Sequence, residues 1–436
     1  MSAEVFVNFT GNPVRNYVTW TPSRCAIHST DGVARTVSLS NSDTTTGGQL
    51  VFMPTANGTP TATLQLDLPP GDEFIDFFVA GQFDQTAGQG FPSASDGDAS
   101  IEVTDTADGS VQAVQPLMVR VRKNANALTD DERDRFLSAL VTLNQRGDFV
   151  DFQNMHTSDT SMEIHGRSCF LPWHRLYLLD LERKLQAIDP SVALPYWRFD
   201  QPAPNVFTRD FMGQPDTSGL VQFSASNPLV NWRLTVFGEG SGRIRRVPEF
   251  NTETAPANVR NDEAATINLG TTGVGANART NFRNFERMEG DPHGAAHVSF
   301  NGQISEIGRA PADPLFFMLH GNVDRLWAKW QWLRNQADPD TATAYYKRGT
   351  GPINPDTTRA GEDRIGNFID DTLWPWNGRV GDPRPRTAPG TYFPSSPFLT
   401  VPDRYPDIRS AIDYQGQVQR SRNLGFCYDD VPFDFD

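Results

Sequence analysis

The sequence predicts a multidomain α+β protein, with a β-sandwich-like domain over residues 1–116 followed by a mainly α-helical domain over residues 117–436. Three observations predict it. A chain of 436 residues outgrows one ordinary hydrophobic core. Up to the region of Val119, short apolar runs alternate with Gly, Pro, Asp, Ser and Thr clusters, which is the texture of strands and turns. Beyond Val119 the apolar residues recur three and four apart, the period of helices packed on a core.

Each element follows from local chemistry. Residues 49–53, 62–68 and 73–80 read as strands bounded by turn formers. Thr129-Asp130-Asp131-Glu132 is a capping box opening a helix, with Phe136, Leu137, Leu140 and Val141 on its buried face. Pro172 fits the start of a second helix, with His174 in its first turn and Leu176, Leu178, Leu179, Leu181 and Leu185 following. Residues 238–281 lack periodicity and are expected to form a surface excursion. Asp313 and Pro314 fit the N-cap and first position of a third helix, directing Phe316, Leu319, Val323 and Leu326 inward. The last hundred or so residues, dense in Pro, Gly, Asp and Arg, are expected to wrap the helical domain as loops and end in a short strand or two.

A formal charge of -15 argues against nucleic acid or an anionic membrane as partner, because phosphate binding needs clustered cations. Cys25, Cys169 and Cys427 are few and widely spaced, so a disulfide framework is not expected and a reducing compartment is. The N-terminal stretch has no basic and apolar signal pattern, and no segment reaches the length of a membrane span, so a cytoplasmic protein is expected.

The histidines carry the chemistry. There are 7, and all but His28 fall into two triplets: His156, His165 and His174, then His293, His297 and His320. Two sets of three imidazoles suit two adjacent borderline-soft ions, with copper, zinc and iron all open on this ground alone. His293 and His297 stand four apart, which places them on one face of a helix. His165 and His174 would lie on opposite sides of a continuous helix, so a turn through Gly166, Arg167 and Ser168 must join them. Asp324, one helical turn beyond His320, is placed to orient that ring.

The segments HGRSCFLPWHRLYLLDLERKL, ALPYWRFD, HGAAH and DPLFFMLHGNVDRLW resemble the two copper-binding signatures of the type 3 dicopper proteins. That family comprises tyrosinases, catechol oxidases and molluscan-type haemocyanins, and the resemblance covers residues 118–335. It implies one copper on His156, His165 and His174 and a second on His293, His297 and His320, inside a four-helix bundle. It further implies a phenol oxidase that takes o-diphenols, with monophenols or o-aminophenols as further substrates, to o-quinones, dioxygen being held side-on between the coppers as peroxide. Haemocyanin-like reversible oxygen binding without turnover is the alternative function.

By the same resemblance Glu289 holds a water near the coppers and serves as the base for a phenol, while Gly294, Val298 and Ile307 line the substrate pocket. Phe316 is expected to pack beside the metal-binding histidines, and Ile307 stands where the family shields one ion. Hydroxylating members often carry asparagine at the position of Gly294, so diphenol oxidation is expected ahead of monophenol hydroxylation. Thr160 and Glu163 stand where many members carry a cysteine cross-linked to a ligand, and Leu319 stands where many have a second histidine. LGFCYDD near the C-terminus is similar to the family's closing aromatic motif, which pairs with an arginine such as Arg120 or Arg122. The N-terminal domain is expected to act as an accessory module or lid.

Overall fold

The structure, a computed structural model, describes residues 2–8, 16–42, 47–158, 164–166, 168–234, 243–248, 254–269, 282, 284–340, 368–376 and 407–435. It forms two compact units, one of residues 1–122 with 415–436 and one of residues 123–414.

Two sheets build the first unit. One runs in the order β1 (Ala3–Val7), β3 (Ser23–Ser29), β7 (Ile75–Gly81), β5 (Leu50–Met53). The other runs β2 (Tyr17–Val18), β11 (Val111–Val119), β10 (Ala99–Asp105), β4 (Arg35–Asn41), β6 (Thr63–Leu68). Neighbours pair antiparallel, apart from β2 and β11, which run parallel. Period-two alternation drives the layering: Val37 and Leu39 on β4, and Ile101 and Val103 on β10, point into the core while intervening polar residues face away. Phe52, Phe77 and Val79 from the opposite sheet join the same core, each burial contributing about 1.5–3 kcal/mol. Trp20 is buried in this core and donates its indole N–H to the carbonyl of Tyr428 at 2.8 Å. Gly81 and Gly90 let the chain approach that ring so closely that a Cβ at either position would overlap it.

The expected strands 49–53, 62–68 and 73–80 appear as β5, β6 and β7. The tail differs from expectation. Residues 415–436 belong with the first unit, not with the helical one, because their apolar side chains Cys427 and Phe433 complete its core. Arg122 donates to the Tyr428 hydroxyl at 2.9 Å and lies 3.7 Å over the Phe426 ring, whereas Arg120 stacks on Tyr17. The tail forms no named strand among the described residues; it meets the strand region through the Arg122–Tyr428 bridge and through hydrogen bonds such as Gly90 N–H to Asp429 O at 3.0 Å.

In the second unit, helix Asp130–Arg146 begins at the expected capping box, with Thr129 accepting from Glu132 N–H and the Glu132 carboxylate accepting from Thr129 N–H. Helix Phe149–Met155 follows after Gly147, whose φ of 89° closes the preceding helix. Helix Phe170–Gln186 starts two residues before Pro172 and is buried almost all round. Helix Leu315–Leu333 starts one residue after Pro314 and is buried continuously from Leu315 through Ala328. Asp313 accepts from Leu315 N–H at 3.0 Å and pairs with buried Arg246. Arg246 lies on β14 (Arg246–Pro248), which pairs with β15 (Phe300–Gly302). The expected excursion over residues 238–281 therefore contains, where described, a strand and helix Glu263–Asn268. These are held by ion pairs: Arg246 to Asp313, and Glu263 to Arg325 and Lys329. Ion pairs leave no apolar period, which is why the pattern did not announce them. No helix among the described residues is long and apolar enough to cross a membrane.

Candidate metal centre

Five of the six triplet histidines lie on or at the end of helical segments. His156 caps the C-terminus of helix Phe149–Met155, and His174 lies in the first turns of helix Phe170–Gln186. His165 stands between them, followed by Gly166 at φ 65°, the left-handed turn that brings it back toward His174. His293 and His297 follow each other through a wide π-type turn, Gly290–Gly294, and the short helix Ala295–His297. His320 lies on helix Leu315–Leu333.

Within each triplet one ligand nitrogen per ring lies within 4.8 Å of the others. In the first, ring centroids are 5.0 Å (His156 to His165), 5.3 Å (His165 to His174) and 5.5 Å (His156 to His174) apart. In the second, Nε2 of His320 is 3.3 Å from Nε2 of His293 and 3.1 Å from Nε2 of His297. The triplets are neighbours, since the His174 and His320 rings stack at 4.3 Å.

Backbone carbonyls set the rings. His156 Nδ1 donates to Ile307 O (2.9 Å), His174 Nδ1 to Phe170 O (2.7 Å), His293 Nδ1 to Glu289 O (2.7 Å) and His297 Nδ1 to Ile304 O (2.7 Å). A carbonyl only accepts, so each of these rings carries its proton on Nδ1 and turns a lone pair on Nε2 toward the centre. Nε2 of His156 and of His174 meets no protein donor, and the Nε2 atoms of His293 and His297 converge on that of His320. Buried lone pairs facing one another are repulsive unless a cation lies between them. Two copper ions, each on three neutral imidazoles, therefore fit this donor set.

The electrostatics agree. Burial holds His174, His293 and His320 well below the ordinary imidazole range, with neighbouring rings adding to the effect, and lowers His156 to about 3 and His297 to about 4. The rings stay neutral, as metal ligation requires. Burial pushes the Glu289 carboxyl up to about 7, opposed by the Gly166 N–H, which its two oxygens accept at 2.8 and 3.0 Å.

Phe316 packs on rings from both triplets, at 4.2 Å from His320, 5.0 Å from His156 and 5.8 Å from His297. Phe170, which the motifs did not single out, also packs on rings from both triplets, at 4.6 Å from His174 and 4.8 Å from His293. Its position four residues before His174 was the available signal. Val298 and Ile307 are 58% and 56% exposed, apolar side chains left at the surface next to ligand-bearing backbone. Ile307 reaches the centre through its carbonyl, which accepts from His156 Nδ1. Gly294 has room for a Cβ only at 3.3 Å from Glu289 O.

One expectation is corrected. Asp324 does not orient His320, whose Nδ1 meets no hydrogen-bond partner. Asp324 accepts instead from Arg175 Nε at 2.6 Å, with both side chains buried, because a buried guanidinium one residue from His174 requires a carboxylate. Cys169 is a buried free thiol. The comparison at Thr160 and Glu163, and the turn residue Arg167, lie outside the described residues.

The family described as the common central domain of tyrosinase matches residues 146–333. A tyrosinase of Streptomyces glaucescens is 36% identical over 232 residues, covering 48% of this chain and 82% of that protein. A tyrosinase of Streptomyces antibioticus is 32% identical over 281 residues, 59% of this chain and 93% of that one. Among solved structures, a functional unit of octopus hemocyanin aligns with 71% of this chain and 68% of its own at 18% identity, with a TM-score of 0.43.

Proposed function

The chain belongs to the tyrosinase family, and from that premise we propose that its two-copper site oxidises o-diphenols to o-quinones at the expense of dioxygen, with monophenols as weaker substrates. It is a copper-dependent phenol oxidase. The observation that carries the reading is the pair of adjacent imidazole triplets, in which carbonyls on Nδ1 turn the Nε2 lone pairs of His156, His174, His293 and His297 inward. We read the four helical segments that carry the ligands or adjoin them as one bundle around that pair.

When bound, the two copper ions supply dioxygen binding and the exchange of two electrons per phenol. The chain's own residues do the rest. The six imidazoles hold the ions without adding charge, so that both copper oxidation states are accommodated. Phe170 and Phe316 keep water from the rings they cover. Val298 and Ile307 offer an apolar rim to a neutral aromatic ring. A diphenol must shed two protons and two electrons to leave as quinone, and two such oxidations balance the reduction of one dioxygen to two waters. Glu289, with its carboxyl raised to about 7, is suited to accept a phenolic proton near neutral pH. Gly294 places no side-chain amide beside it, which favours substrates that need no ring hydroxylation.

Oxygen uptake by the copper-loaded protein with a monophenol, its matching catechol and o-aminophenol tests this. Uptake with catechol is expected to exceed that with the monophenol, and Glu289→Gln to lower monophenol turnover by about 10²–10⁴-fold, the usual contribution of a general base. Prompt monophenol turnover overturns the reading of Gly294. A reversible spectral response to oxygen with no uptake on any substrate would make the protein an oxygen carrier.

A further inference from the structure

Two short stretches of chain each serve both triplets. In the turn after β15, the carbonyl of Ile304 holds His297 of the second triplet and the carbonyl of Ile307, three residues on, holds His156 of the first. Glu289 does the same with its two ends. Its backbone carbonyl holds His293 of the second triplet, while its carboxylate accepts the N–H of Gly166, the residue next to His165 of the first. Gly308 presses the 304–307 stretch against Ser158, two residues beyond His156, where a Cβ would collide with the Ser158 hydroxyl and stand 2.9 Å from its backbone nitrogen.

We propose that Glu289 is a positioning residue which, together with residues 304–307, couples the two metal sites, so that filling one prepares the other. The proposal rests on the two-copper reading above. An ion on the first triplet fixes His156 and His165. Through Ile307 O and Gly166 N–H it thereby fixes the two stretches that orient His293 and His297. The second ion then meets ligands already ordered and binds more tightly, and the coupling is reciprocal by linkage.

Native mass spectrometry of the metal-free full chain, loaded anaerobically with copper(I) from a weak chelator, resolves the zero-, one- and two-ion forms. At half-loading, two equal and independent sites leave about half of the molecules with one ion, and tenfold coupling, modest on the usual scale, lowers that to about a quarter. Glu289→Ala removes the acceptor for Gly166 but leaves the carbonyl on His293, so the one-ion fraction is expected to rise about twofold. Glu289→Gln keeps an oxygen for Gly166, so its one-ion fraction is expected to match that of the unsubstituted chain, whatever its loss of turnover. A purely stabilising role for Glu289 would weaken both sites without changing the one-ion fraction. Gly308→Ala, which disturbs the other stretch without touching Glu289, is expected to raise it as well. An unchanged fraction in both Glu289→Ala and Gly308→Ala, or an equal rise in Glu289→Gln, overturns the coupling while leaving the two-copper reading intact. Failure of the unsubstituted chain to take up two ions overturns both.

Discussion

Replacing Asp324 with asparagine separates two roles for a residue close to the metal centre. Its carboxylate meets Arg175 Nε at 2.6 Å, with side-chain exposures of 1% and 0%. Arg175 also donates to Gln331 Oε1 at 2.9 Å and to the carbonyl of Ala411 at 2.8 Å, and its guanidinium lies 3.7 Å over Trp327. Those neutral partners cannot offset its charge once the carboxylate is gone. Breaking a buried pair from one side costs about 3–5 kcal/mol. For a unit of this size that corresponds to a fall in melting temperature of about 6–20 °C. The assay is thermal unfolding of the metal-free protein, followed by a double-mutant cycle with Arg175→Met, in which the paired loss of both charges recovers part of the stability. Copper stoichiometry of the surviving folded protein is expected to stay at two. A melting temperature within about 2 °C of the original, or loss of one copper with stability unchanged, refutes the reasoning and returns Asp324 to the role of orienting His320.

Two further outcomes follow from the same structure. In the metal-free protein the folded imidazoles titrate below the ordinary 6.5, His297 near 4 and His156 near 3, so the unfolded chain takes up protons first as pH falls. Stability is thus fully present above about pH 6.5 and declines by about 1.4 kcal/mol per pH unit for each such group as pH drops toward those lower values. Urea unfolding between pH 7 and 4.5 measures it, His297→Asn should flatten the slope, and a pH-independent midpoint in the unsubstituted chain would contradict the burial argument. In the first unit, Gly90→Ala drives a methyl into the Trp20 ring and is expected to cost about 1–3 kcal/mol as overpacking. Tryptophan fluorescence during unfolding reads the loss, and an unshifted midpoint would show that the ring moves aside freely.

Much was legible in the chain alone wherever chemistry restricts the residue type. Imidazole suits a borderline-soft ion and the three cysteines are too scattered to supply a thiolate site, so 7 histidines arranged as two triplets and one remainder marked the candidate ligand set before any folding. Helix Asp130–Arg146 was visible from its capping box, and β5, β6 and β7 from apolar runs set between turn formers. The structure alone supplied what any residue type can do. Every residue has a carbonyl, so nothing in the identity of Ile304 or Ile307 marks it as the group that sets His297 or His156. Arg175 and Asp324 are separated by 149 residues, and the C-terminal residues 415–436 join the first unit from the far end of the chain. Local propensity and periodicity act over a few turns of chain, whereas such pairings are chosen by which buried charge or apolar edge remains to be satisfied once the units have closed.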